Sequence, residues 1–307
     1  MRKKQSDDTS NEIDQRSEEA IRFEAALKAL GNDHFVAVAA AQEYMRERAA
    51  LGDVPFSLPE GDYASDVHIE YIGDSQTIVF EGSPETLISV ILIHGGAFVS
   101  QVSPPNIAFC DKLAKAANAT VYSPLYPLAP NHTCDEAYPL LDALYEKVLA
   151  EGKPIFLTGD SAGGGLAASF CMHVAKQGLP KPERAVLFSP WVDVSLSGDY
   201  DELLKVDPML GADGLRCIGE AWAGDLSAKD WRVSPLFGDA SHMPPTTLFV
   251  GTREILYGDV LAFRDKLEEA GIDVSLIVGK GMNHIWPFFP IPEAKAAFAQ
   301  VLEALGR

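Results

Sequence analysis

From residue 87 to the C-terminus, short runs of valine, isoleucine and leucine alternate with helix-length stretches, and no other feature constrains the fold as strongly. The β-rich runs fall at 67–72, 76–81, 87–94, 120–126, 155–159, 185–189, 246–251 and 274–279. From the third onward they alternate with helical patterns at 107–117, 136–150, 165–177, 256–270 and 294–305. A strand that is apolar on both faces must be covered on both faces. The pattern therefore predicts an α/β fold: an eight-stranded, mostly parallel sheet with helices on either side. Residues 195–242 interrupt the rhythm with Gly, Asp, Pro and Trp. That segment is too long for a plain loop, and its helical pattern at 215–223 predicts either a helix of its own or a part in a cap.

Ahead of the sheet the chain behaves differently. Residues 1–15 are almost wholly polar, which suits a frayed tail. Amphipathic helices are predicted at 17–30 and 35–51, separated by Gly31-Asn32-Asp33, and Gly52, Pro55 and Pro59 end the second. Two helices before any strand lie outside a β-α repeat, so they form an appendage that has to bury its apolar face on something else. The domain organisation expected is a tail and helical appendage over 1–60 and an α/β domain over 61–307.

Charge and cysteine usage exclude several functions. Lys plus Arg number 25 against 44 Asp plus Glu, a net charge of −19, which argues against nucleic acid or an anionic membrane as partner. Cys110, Cys134, Cys171 and Cys217 form no CxxC pair, so no zinc site of the usual spacing is expected, and Cys110 and Cys171 read as core residues. No apolar signal region follows the first residues. The aliphatic run 88–93 is far short of the ~20 residues a membrane span needs. A cytoplasmic protein is expected.

The sharpest local signal is Gly159-Asp160-Ser161-Ala162-Gly163. An apolar strand leads into it and a helix leads out. A strained strand-to-helix turn of this kind lifts a serine hydroxyl clear of a sheet, with glycines letting the backbone pass close by. No Lys-Ser/Thr pair follows, so a phosphate cradle is excluded. The third strand ends in His94-Gly95-Gly96-Ala97-Phe98, a glycine-rich loop able to supply backbone donors to an oxyanion. His94 is read as bracing that loop rather than as a base. The base should lie downstream of Ser161. His284, on the loop after the last strand, meets that requirement, whereas His242 approaches the seventh strand from its opposite end. For the acid, Glu254 follows the seventh strand closely. Asp259 is the alternative, at a place where an acid in a helix's first turn is favourable.

With those residues in place, the chain from about Val67 onward resembles the hormone-sensitive-lipase family of esterases on the α/β-hydrolase fold. The likeness rests on His94-Gly95-Gly96-Ala97-Phe98, Tyr126-Pro127-Leu128-Ala129-Pro130, Gly159 to Gly164, Ser189-Pro190-Trp191-Val192-Asp193 and His284. The resemblance implies hydrolysis of short acyl esters without metal or organic cofactor, and a cap built from the N-terminal helices. It implies a triad of Ser161, His284 and Glu254, and oxyanion donors Gly95, Gly96 and Ala162, with Ala97 a further donor. The chain departs from the family at Ala97, where a third glycine is commonest, and at Glu254-Ile255-Leu256, where the family usually has Asp-Pro-Leu. Tyr126 to Pro130 and Asp160 are read as structural. Met282, Phe288 and the three residues taken as substrate-binding, Phe98, Ile285 and Trp286, either wall an acyl pocket or pack the core.

The expected partner is a small ester. A copy of the chain pairing along the sheet edge near the eighth strand would make a homodimer. Competing readings are a peptidase, for which the chain lacks the usual large extra domain, and a non-catalytic receptor, which would not need both Ser161 and His284. An interfacial membrane role for the first 51 residues conflicts with their many Glu and Asp residues.

Overall fold

The computed structural model describes residues 16–30 and 33–307, so the polar tail and Gly31-Asn32 lie outside the described residues. The expected eight strands are present: β1 (Asp66–Ile72), β2 (Ser75–Glu81), β3 (Ile88–Ile93), β4 (Ala119–Pro124), β5 (Ile155–Asp160), β6 (Arg184–Phe188), β7 (Thr246–Gly251) and β8 (Val274–Gly279). They form one sheet in the order β1-β2-β4-β3-β5-β6-β7-β8. β2 runs antiparallel to both neighbours, and every other pairing is parallel. β3, β4, β5 and β7 are buried along their whole length, as their apolar composition requires.

Alternation along the strands divides the interior into two cores. Ile91 and Ile93 face one, with Leu157 and Leu187; Val90 and Leu92 face the other, with Phe156 and Phe188. The first core is closed by α5 (Cys134–Leu149), α6 (Ser161–Lys176), α7 (Ala212–Ala223) and α8 (Tyr257–Glu269), and the second by α4 (Pro104–Ala117) and α9 (Pro292–Ala304). Local chemistry sets several helix starts. Ser103 and Asn106 form a capping box at α4, Thr133 and Glu136 another at α5, and Asn118 ends α4 in the left-handed conformation. The segment predicted to interrupt the repeat carries α7 and short 3-10 turns at Leu203–Lys205 and Pro235–Phe237.

The N-terminal helices dock at two separate places. α1 (Glu18–Leu30) buries Ala20 in the α9-side core, and Phe23 lies 4.6 Å from the Phe289 ring. The second predicted helix is broken into α2 (Asp33–Val36) and α3 (Val38–Leu51), because Ala37 is extended (φ −109°, ψ 140°). At the break the Phe35 carbonyl accepts the Gly211 amide, 3.2 Å away. A Cβ on Gly211 would sit 2.7 Å from Val36 Cα, so the glycine admits α2 against the start of α7. α3 buries Ala41 and Met45. Among the described residues no helix is long and apolar enough to cross a membrane.

α6 also approaches the end of β3 very closely. A Cβ on Gly163 would overlap the carbonyl oxygens of Ile93 and His94, which are backbone atoms and cannot swing aside. Gly163→Ala gains up to ~1 kcal/mol of helix propensity, but overpacking at a rigid contact costs about 3 kcal/mol. A net loss of about 2 kcal/mol, read from the urea midpoint at unchanged m-value, is the expected result.

Candidate active site

Parallel strands place their C-terminal ends together, and β3, β5, β7 and β8 deliver His94, Ser161, Glu254 and His284 to the same edge of the sheet. Ser161 opens α6 with φ +53°, a left-handed conformation that is costly for a residue with a Cβ. Its backbone carbonyl accepts the Trp191 amide at 2.9 Å, and its side chain is partly exposed. Asp160 occupies the N-cap position, yet its carboxylate does not cap α6. Oδ1 instead accepts the Gly95 amide at 2.9 Å and Asn106 Nδ2 at 2.8 Å. The first-turn N–H groups of α6, Ala162 among them, therefore keep their donor capacity.

This geometry corrects one expectation. The Gly95 amide is spent on Asp160, so it does not serve as an oxyanion donor. Among the described residues the amides of Gly96 and Ala97 have no partner, and like the first-turn amides of α6 they stay available as donors. Gly96 (φ +117°) and Ala97 (φ +53°) are both left-handed, and the Gly96 carbonyl accepts the amides of Val99 and Ser100, which curls the loop back on itself. His94 braces it. Nδ1 donates to the Gly95 carbonyl at 2.7 Å, the ring stacks on Tyr126 at 4.6 Å, and the Tyr126 hydroxyl donates to the His94 carbonyl at 2.9 Å. Burial, opposed only by the Gly95 carbonyl, pushes His94 down to about 4, so the ring is neutral. Burial also raises Asp160 to about 6, against the donors that hold it.

The second half of the site is a buried carboxylate–imidazole pair. His284 Nδ1 lies 2.6 Å from Glu254 Oε2, and the side chains are 3% and 0% exposed. Glu254 Oε1 accepts the Ser189 hydroxyl at 2.7 Å and the Gly251 amide at 2.6 Å. Ser189 Oγ in turn accepts the Ile285 amide at 3.1 Å, so one hydroxyl ties the acid to the residue after His284. Burial lowers the proton affinity of His284, but the Glu254 charge and hydrogen bond, with Asp207 and Asp160, outweigh it and hold the imidazole above its ordinary value. The alternative acid, Asp259, points elsewhere. It is buried in the first turn of α8, where it accepts the Tyr200 hydroxyl at 2.8 Å.

The residues read as substrate-binding do not converge. Phe98 is 1% exposed and stacks on Trp222 at 4.5 Å in one core, while Trp286 is 5% exposed and packs in the other, beneath Gly279. Both are core residues on opposite faces of the sheet, so they cannot wall one pocket; only Ile285 is partly exposed. A cavity of about 770 Å³ beside the oxyanion loop, lined by Arg48, Val54, Tyr71, Gln101, Tyr126 and His132, touches none of Ser161, Glu254 and His284. Asn106, Ser189 and Asp207 received no role from the sequence. Ser189 lies within one of the quoted motifs, whereas Asn106 and Asp207 carry no local signal.

Comparison with known proteins agrees with the architecture. A family model described as the alpha/beta hydrolase fold matches residues 90–288. The chain is similar to an esterase of Acinetobacter venetianus, 34% identical over 218 residues that make up 69% of this chain and 72% of the relative. It is also similar to an acetyl-hydrolase of Streptomyces hygroscopicus, 28% identical over 215 residues, 68% and 72% of the two chains. Among solved structures, an esterase from the bacterial hormone-sensitive lipase family superposes with a TM-score of 0.78 at 25% identity, over 94% of this chain and 97% of the other.

Removing the Glu254 charge while keeping its shape isolates its effect on the imidazole. Glu254→Gln is expected to lower the His284 titration midpoint by about 1–2 pH units, because the charge that holds it above its ordinary value is lost. A ¹⁵N-histidine NMR titration, with the resonance assigned through a His284 variant, measures this directly.

Proposed function

This chain belongs to the α/β-hydrolase-fold family, as a carboxylic ester hydrolase of the hormone-sensitive-lipase branch, and we propose that it cleaves short-chain acyl esters with Ser161, His284 and Glu254. The observation that carries the reading is the buried Glu254–His284 pair on the sheet edge that also presents the strained, partly exposed Ser161. The similarity to an acetyl-hydrolase supports a small acyl group. So does Ala97, whose Cβ narrows the oxyanion loop where the family's commonest residue is glycine.

Ser161 Oγ attacks the ester carbonyl as His284 Nε2 takes its proton. Glu254 fixes the tautomer, because a carboxylate against Nδ1 requires the proton there and leaves Nε2 as the base. The imidazolium that forms is stabilised by the same charge. Amides of Gly96, Ala97 and Ala162 receive the oxyanion, each contributing about 3 kcal/mol in the transition state. His284 then protonates the leaving alcohol, and water attacks the acyl-enzyme by the reverse sequence. The base is active only when neutral. A raised proton affinity therefore places the acid limb of the rate above the ordinary histidine value, and activity rises with pH through that limb.

Hydrolysis of p-nitrophenyl esters from acetate to palmitate, wild type beside Ser161→Ala, tests this. Rates should peak at short acyl chains and fall by roughly 10⁵–10⁶ in kcat in the variant. Turnover that survives in Ser161→Ala sinks the mechanism, and a maximum at palmitate sinks the substrate class.

A further inference from the structure

Asp207 lies on the segment between β6 and α7, remote in sequence from the proposed triad, yet it is bonded to the turn that carries the acid. Its Oδ2 accepts the amide of Ile255, the residue after Glu254, at 2.8 Å. Its Oδ1 accepts the amides of Met209 at 2.8 Å and Leu210 at 3.0 Å. Met209 reaches the other side of the pair, with its sulfur 3.3 Å from Asn283 Nδ2, next to His284. One carboxylate thus organises a turn that touches both loops of the site. We propose that Asp207 is a positioning residue for the Glu254–His284 pair, clamping the Glu254 turn through Ile255 and setting a second negative charge toward the imidazole. The inference rests on the esterase reading above.

A neutral acceptor could hold the Met209 and Leu210 amides equally well, as Asn and Ser do in many turns. A carboxylate at this place brings something more, a fixed charge. The leading charges acting on His284 are Glu254, Asp207 and Asp160, all acidic and on three different elements. Arg253, adjacent to Glu254 in sequence, is turned away to Glu24 of α1 at 3.0 Å. Burial raises Asp207 to about 6, opposed by its three amide donors and by a charged His284. When His284 takes the proton of Ser161, Asp207 stabilises the imidazolium without touching it. Neutralising Asp207 should make His284 a weaker base that is deprotonated at lower pH.

The test is the pH dependence of kcat/KM for wild type and Asp207→Asn, with rates normalised to sites titrated by a p-nitrophenyl phosphonate. The acid limb of the variant should move down by about half a pH unit. Its kcat should fall about tenfold with KM within about twofold, as expected when a transition-state interaction is lost. A limb that stays in place while the phosphonate labels both proteins overturns the assignment, whatever happens to stability. A wild-type enzyme that the phosphonate does not label at Ser161 overturns the esterase reading itself, a distinguishable result. Should Asp207→Asn not fold, Asp207→Ser, whose hydroxyl can still cap Met209 and Leu210, carries the same measurement.

Discussion

A carboxylate withdrawn from water must be surrounded by donors, and the site is organised around meeting that demand for Glu254. Its two oxygens take the Gly251 amide, the Ser189 hydroxyl and His284 Nδ1. These donors come from the end of β7 and the loops following β6 and β8, so satisfying one buried charge registers three strand ends against each other. Ser189 is the joint in this arrangement, because its oxygen also receives the Ile285 amide. The imidazole is then held by Glu254, and the residue that follows it by Ser189.

A second buried carboxylate does the same for the oxyanion side. Asp160 stands where an N-cap should be and declines that role in favour of Gly95 and Asn106. The choice has two consequences. It ties the end of β5 to the end of β3, fixing the glycine-rich loop relative to Ser161. It also leaves the α6 amides uncapped, with the helix's positive end and free N–H groups turned to incoming negative charge. Burial raises Asp160 and Asp207 to about 6 each, so the fold holds both at some cost in stability at neutral pH.

The N-terminal helices connect to both halves. Glu24 of α1 is buried among Arg16, Lys28 and Arg253, the last adjacent to Glu254. On the other side Tyr44 of α3 hydrogen-bonds Ser100 at 2.8 Å, and Ser100 donates its amide to the Gly96 carbonyl. The appendage therefore bears on the acid's turn through one helix and on the oxyanion loop through the other. Together with the packing of α1 on α9 and of α2 and α3 on α7, these contacts fix the three helices that lie outside the β-α repeat.

The strands, the flanking helices and the positions of Ser161, Glu254 and His284 were legible in the sequence, because each has a local signature. Apolar runs must be covered, glycines mark close backbone approaches, and a residue just past a parallel strand lands on the functional edge. Glu254 and Asp259 could be ranked by position, but only the structure shows that one meets His284 and the other Tyr200. The role of Gly95 was misread because a backbone amide carries no mark of which acceptor will claim it. The break at Ala37 and the burial of Phe98 and Trp286 in opposite cores depend on neighbours far along the chain. So do the positions of Asn106, Ser189 and Asp207. The sequence by itself determined the fold class and that Ser161, Glu254 and His284 follow parallel strands onto one edge of the sheet, since periodicity and turn composition act within a few residues. Tertiary structure alone decided how each buried polar group is satisfied, since that depends on which distant segments meet.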